Sequence, residues 1–109
     1  MGLLDFGDRS MLKTKGYRIG VGITQLTTEL DKSNGSITPM VNGLVSVLRK
    51  ELDEFAKITN NLSPKSLSTI EIELNGKKVT YINFIMAVRY FSADLYRITG
   101  LKLIDFDDE

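Results

Sequence analysis

The 109 residues hold fourteen basic and fourteen acidic side chains, with 42% apolar and 26% charged residues. These are the proportions of one ordinary globular domain, and the even balance excludes a global field for nucleic acid or an anionic membrane. The chain has no cysteine and no histidine, which removes disulfides, thiol nucleophiles, Ser-His triads and the usual zinc sites.

Residues 1–9, MGLLDFGDR, are short and punctuated by glycine, and are expected to be irregular. From Ser10 to Lys32 two periods compete. Leu12, Ile19, Ile23, Leu26 and Leu30 make a helical seam with Gly16 at its open position, while Tyr17, Ile19, Val21 and Ile23 alternate as in a half-buried strand. Gly16, Gly20 and Gly22 each cost about 1 kcal/mol against Ala inside a helix. The reading is a helix over about 10–31 whose glycines admit a close neighbour, with 17–23 as the candidate strand otherwise. Residues 31–38, DKSNGSIT, carry oxygen ligands like a calcium loop, but counting Asp31 as position one puts Gly35 at five rather than six. The spacing is a residue short, so the stretch reads as a turn.

Thr38-Pro39 is a capping hydroxyl followed by proline at the first helical position, and a helix is expected to run to about Asn60. Val41, Val45, Leu48, Leu52 and Phe55 keep 4-3-4-3 spacing, with Arg49, Lys50, Glu51, Asp53, Glu54 and Lys57 on the opposite side. Such a seam packs a helix of its own chain or of a second copy. Asn60-Asn61-Leu62-Ser63-Pro64 ends it. Over Thr69–Tyr81 the period changes to two around Asn75-Gly76, a hairpin signal. A two-residue turn sets Leu74 against Lys77, Glu73 against Lys78, Ile72 against Val79 and Ile70 against Tyr81. A lone hairpin is marginal in water, so it needs a helix over it, a third strand or a second subunit.

Ile82–Ile98 is the most apolar stretch. Phe84, Val88, Phe91, Leu95 and Ile98 form one seam, and Ile82, Ile85, Met86 and Ala87 widen its first half until little polar surface is left. A helix of that kind is expected at the centre of the core. Gly100 is its left-handed stop. The fold class is therefore α+β: a single domain over 1–109, ordered helix, helix, hairpin, long core helix, with a short apolar-acidic tail over 101–109.

Little of this points to catalysis. Glu51, Asp53 and Glu54 fit a solvated helix side, and Glu71 and Glu73 share a strand face with Lys78 opposite Glu73, so no enclosed acid–base pair is set up. The glycines form neither a dinucleotide fingerprint nor a phosphate loop. No enzyme, cofactor or metal site is expected. Lys77, Lys78, Arg89, Arg97, Tyr90 and Tyr96, with Lys13, Lys15 and Arg18, are the material for a basic-aromatic nucleic-acid surface, on which Arg89 and Tyr96 could share a helix face.

The two ends echo each other. Leu3-Leu4-Asp5-Phe6 and Leu103-Ile104-Asp105-Phe106 share the order aliphatic, aliphatic, Asp, Phe, and the second continues into Asp107-Asp108-Glu109. Apolar anchors with an acidic rim suit docking on an apolar, basic-edged surface, so Leu103, Ile104, Asp105, Phe106, Asp107 and Asp108 are the candidate partner-binding residues. The tip is similar to the acidic C-terminal tails of single-stranded DNA-binding proteins, which recruit partners, and to short sliding-clamp-binding peptides. The likeness covers none of a parent fold and names no family. With no run long enough for a signal peptide or membrane span, the expectation is a cytoplasmic, non-catalytic protein-binding or adaptor protein. It is expected to be a homodimer that meets a protein partner through its tail and no membrane. The alternative is a nucleic-acid-associated regulator, and after it a structural assembly subunit.

Overall fold

The computed structural model describes the backbone of residues 2–104 and the side chains of residues 7–104. Six elements follow one another: α1 (Gly2–Lys32), α2 (Pro39–Thr59), α3 (Pro64–Ser68), β1 (Glu71–Leu74), β2 (Lys77–Thr80) and α4 (Tyr81–Thr99). The α+β class and the order helix, helix, hairpin, long helix are as the sequence indicates. The helix expected over about 10–31 is present, so 17–23 do not form the alternative strand. One local expectation is corrected, in that residues 2–9 are helical rather than irregular.

The reach of α1 has a tertiary cause at its start. Arg9 donates to the Ser66 carbonyl at 3.2 Å and to Thr69 Oγ1 at 2.8 Å, tying the first turns to the end of α3. The glycines explain the helix choice further along. A Cβ on Gly16 would sit 2.5 Å from Ile72 Cγ2, and one on Gly22 would sit 2.7 Å from Leu48 Cδ2. Gly16 therefore lets β1 lie against α1, and Gly22 lets α2 do so. Leu12, Ile19 and Leu26, one face of α1, are fully buried between these neighbours. The hairpin is thus covered by a helix of its own chain.

Asn34 and Gly35 both take positive φ (55° and 82°), and the Gly35 amide bonds the Leu30 carbonyl at 2.8 Å, which closes α1 as a turn. Thr38 caps α2 by accepting the Val41 amide at 3.1 Å. The seam Val41, Val45, Leu48 and Phe55 is buried inside the chain, with Leu52 half-buried on the same core, so it is not an outlet for a second copy. Ser63-Pro64 repeats the Thr38-Pro39 signature and starts α3, an element the sequence reading passed over; Ser63 accepts the Ser66 amide at 3.1 Å. The β1–β2 register is Glu71 to Thr80, Ile72 to Val79, Glu73 to Lys78 and Leu74 to Lys77, as Asn75-Gly76 dictates. Both turn residues have positive φ, 55° and 81°, the requirement of a type I′ turn. Beyond the ladder, the Tyr81 amide bonds the Ile70 carbonyl at 3.2 Å, and α4 starts there with Thr80 as its cap.

α4 enters the core by one face rather than nearly all round. Phe84, Val88, Ser92 and Leu95 are buried, Phe91 is half-buried, and Ile98 is exposed. The inner stripe therefore passes through Ser92, not along Phe91 and Ile98. Phe84 packs on Phe55 of α2 with ring centres 5.3 Å apart and planes tilted by 32°. Each large side chain so buried contributes about 1.5–3 kcal/mol. Gly100, at φ 79°, ends α4 with its amide on the Tyr96 carbonyl. Leu101–Ile104 then folds back on α2, where Arg49 Nε donates to the Lys102 carbonyl at 2.6 Å.

Candidate functional site

The carboxylates on α2 are held in ion pairs. Lys15 of α1 hydrogen-bonds Glu54 and lies 3.1 Å from a Glu51 oxygen. The Lys15 hydrogen bond holds the Glu54 carboxyl below its ordinary 4.5, against the opposing effect of burial. The hydrogen bonds that Lys15 donates to Glu54 and Glu51 raise its pKa above the ordinary 10.5. Both shifts favour the charged forms, the reverse of what a general acid at neutral pH needs.

The pH dependence follows from these directions. The lowered Glu54 value contributes stability that is complete above its ordinary range and is lost as acid carries the pH through the lowered one. The raised Lys15 value contributes stability that is complete below 10.5 and is lost as pH rises through the raised one. Lys15→Met should therefore lower the melting temperature at neutral pH. By circular dichroism the gap to the native chain should close in strong acid, and a gap independent of pH would show that the pair does not contribute.

Among the described residues no three metal-ligating side chains cluster, and no helix is long and apolar enough to cross a membrane. Of the basic and aromatic residues, Lys13, Tyr17 and Lys78 line one surface hollow together with Glu71 and Glu73. Lys15 is engaged as above, Lys78 stands across from Glu73, Arg97 pairs with Asp94 at 2.7 Å, and Lys102 lies over the Tyr96 ring at 5.8 Å.

Two surfaces stand out instead. The first is a groove of about 620 Å³ between α2, α4 and the segment 102–104. Among the described residues its lining includes the apolar Leu52, Phe55, Tyr81, Ile85 and Val88, with Arg49, Arg89, Lys102 and Asp53 as its charged members. Phe55 and Tyr81 stack there at 6.2 Å with their planes 6° apart. The second is the outer face of α4, where Ile82 (63% exposed), Met86 (46%) and Tyr90 (68%) stand one turn apart. Residues at i, i+4 and i+8 share a face, so they form one apolar stripe. It runs beside the groove, because Ile85 and Arg89 belong to both neighbourhoods by helical spacing.

Of the candidate partner-binding residues, Leu103 is 7% exposed and belongs to the core, and Ile104 is half-buried against it. Both line the groove. Asp105, Phe106, Asp107 and Asp108 lie outside the described residues, as do the side chains of Leu3 to Phe6. Arg49, Arg89 and Lys102 were not singled out together by the sequence, since they come from three separate segments and share no local pattern. Arg89 and Tyr96, expected on one face, do lie one helical repeat apart on α4. Comparison of the chain with protein-family models, with curated proteins and with solved structures finds no match.

Proposed function

We propose that the chain is a non-catalytic protein-binding module that works as a homodimer through the outer face of α4, and that the acidic segment after Ile104 docks on protein. The stripe Ile82, Met86 and Tyr90 is the observation that carries the dimer. A row of large apolar side chains on an outward helix face is a characteristic interaction surface. The row is also self-complementary: Met86 is equidistant from Ile82 and Tyr90, so an antiparallel crossing centred on Met86 makes the same contact twice, as two-fold symmetry requires. Arg89, Asp94 and Arg97 on α4 provide the polar rim that such interfaces have. The adaptor role rests on Asp105, Phe106, Asp107 and Asp108, since Leu103 is committed to the core.

Light scattering at micromolar concentration should give twice the chain mass of 12.2 kDa. Met86→Glu, an exposed change that leaves the core untouched, should give the single mass with an unchanged melting curve at low concentration. A native chain that stays at 12.2 kDa at high concentration would remove the dimer.

A further inference from the structure

The chain contains two Asn-Gly pairs, Asn34-Gly35 and Asn75-Gly76, and the fold treats them oppositely. Asparagine followed by glycine is the least hindered place for a backbone nitrogen to attack a side-chain amide, because no Cβ shields the attacking atom. Both asparagines are left-handed, at φ 55°, and the glycines follow at 82° and 81°, so local backbone shape does not separate the pairs. Hydrogen bonding does. The Gly35 amide donates to the Leu30 carbonyl at 2.8 Å, and Ile98 Cγ2 stands 3.3 Å from where a Gly35 Cβ would be. Its nitrogen is occupied and its surroundings are filled. Among the described residues the Gly76 amide has no acceptor, a Cβ built on Gly76 meets nothing within 4 Å, and Asn75 is exposed. Asn75 also carries a hydroxyl on its side-chain carbonyl, since Thr24 Oγ1 of α1 donates to Asn75 Oδ1 at 3.0 Å. The other acceptor in reach of that hydrogen is the Gly20 carbonyl at 3.2 Å. Charge gathering on Oδ1 draws the donation to Asn75, because hydrogen bonds to a charged acceptor are the stronger ones.

We propose that Asn75-Gly76 is a site of spontaneous covalent modification, at which the Thr24 hydroxyl stabilises the oxyanion and the asparagine becomes aspartate and isoaspartate. The Gly76 nitrogen loses its proton to water and bonds to Asn75 Cγ, which puts negative charge on Oδ1 beside the Thr24 hydroxyl. The Cγ–Nδ2 bond then breaks, Nδ2 takes a proton from water and leaves as ammonia, and a five-membered imide remains. One water opens the imide. Opening at Cγ gives aspartate, while opening at the main-chain carbonyl leaves Gly76 joined through Cγ and adds a carbon to the main chain. The sum is amide plus water giving carboxylate plus ammonium, with no further reagent. Ring closure requires the backbone at Asn75 to rotate out of its turn. That motion is cheapest at the end of a short ladder, and only the Leu74–Lys77 pair adjoins this turn. The isoaspartate product does not keep Leu74 opposite Lys77, because a type I′ turn has no room for an extra main-chain carbon. Leu74 Cδ1 lies 3.1 Å from where a Gly20 Cβ would be, so the change displaces a side chain seated on α1.

The test holds the full chain in mildly alkaline buffer and digests samples at intervals. Mass spectrometry follows the gain of one mass unit in the peptides that carry each pair, and methyl transfer by an isoaspartyl methyltransferase counts the isoaspartate. Modification at residue 75 should outrun that at residue 34 by about tenfold, the worth of the hydrogen bond that the Gly35 amide must give up. In urea the difference should vanish, because neither nitrogen is then bonded. Thr24→Val keeps the shape of the side chain and should slow residue 75 several-fold without changing residue 34, whereas Thr24→Ser should keep the native rate. Equal rates at the two pairs in the folded chain, or a faster Asn34, overturn the proposal. So does a difference that persists in urea, since the neighbouring sequence and not the fold would then set it. A Thr24→Val chain that melts like the native one and modifies residue 75 as fast or faster removes the hydroxyl's part.

Discussion

Leu103→Ala is expected to lower stability by about 2–3 kcal/mol, whereas deleting residues 105–109 should move the melting temperature by a few degrees at most. Leu103 is 7% exposed in the hydrophobic core, and truncating a buried leucine removes transfer free energy and leaves a cavity, at about 2–5 kcal/mol. The lower half of that range applies because Leu103 packs at the core's edge, beside the groove, where neighbours can relax. For a domain of this size each kcal/mol shifts the midpoint by roughly 4–8 °C, so the loss should be near 10 °C or more. Surface changes, by contrast, usually cost under about 0.5 kcal/mol, which sets the expectation for the deletion. Thermal unfolding of the two variants side by side decides the matter. Equal, small effects would mean that Leu103 is not a core residue and that all of Leu103 to Asp108 is free to dock.

Gly16→Ala should destabilise the protein by about 2 kcal/mol, against the direction that helix propensity alone gives. Alanine in place of an interior helical glycine is worth about 1 kcal/mol in its favour. At position 16, however, the new Cβ would fall 2.5 Å from Ile72 Cγ2. That atom belongs to a β-branched, fully buried side chain with a stiff χ1, so it cannot swing aside as the end of a lysine could. Forcing extra volume into a packed site costs about 1–3 kcal/mol, occasionally more, and this contact lies at the costly end. Gly43→Ala supplies the opposite sign. Position 43 is within α2, and a Cβ there has no neighbour within 4 Å, so the propensity gain of about 1 kcal/mol should appear in full. Urea midpoints that rise for both variants would show that β1 does not press on α1 at Gly16.

What the sequence disclosed and what it hid divide along physical lines. α2 and the hairpin were legible because their signals are local: a hydroxyl cap before proline, an unbroken seam, and Asn-Gly between alternating strands. α3 carries the same cap, Ser63-Pro64, but five residues are too few for a period to emerge. The first turns of α1 were hidden because they depend on Arg9 reaching Ser66 and Thr69, some sixty positions away, and no local pattern records that. On α4 the periodicity identified residues that share a face but not whether the opposite face has a cover, so Ile82 and Met86 were assigned to the core and are in fact outside. The groove was hidden for the same reason as α1. Its basic edge draws on residues 49, 89 and 102, which only the crossing of α2 and α4 brings together.

The glycines of α1 carry a consequence for how the chain folds. Gly16, Gly20 and Gly22 together withhold about 3 kcal/mol of intrinsic helicity from residues 2–32, so that segment cannot hold a helix unaided. Its order is supplied by β1 and α2, which arrive from later in the chain, Ile72 following Gly16 by 56 positions. The longest helix is thus a dependent element, formed only once distant segments close upon it. Nothing shorter than residues 2–74 contains all the surfaces that it needs. Folding should accordingly be all-or-none, with loosening of the hairpin transmitted along α1 to the α2 contact instead of ending where it began.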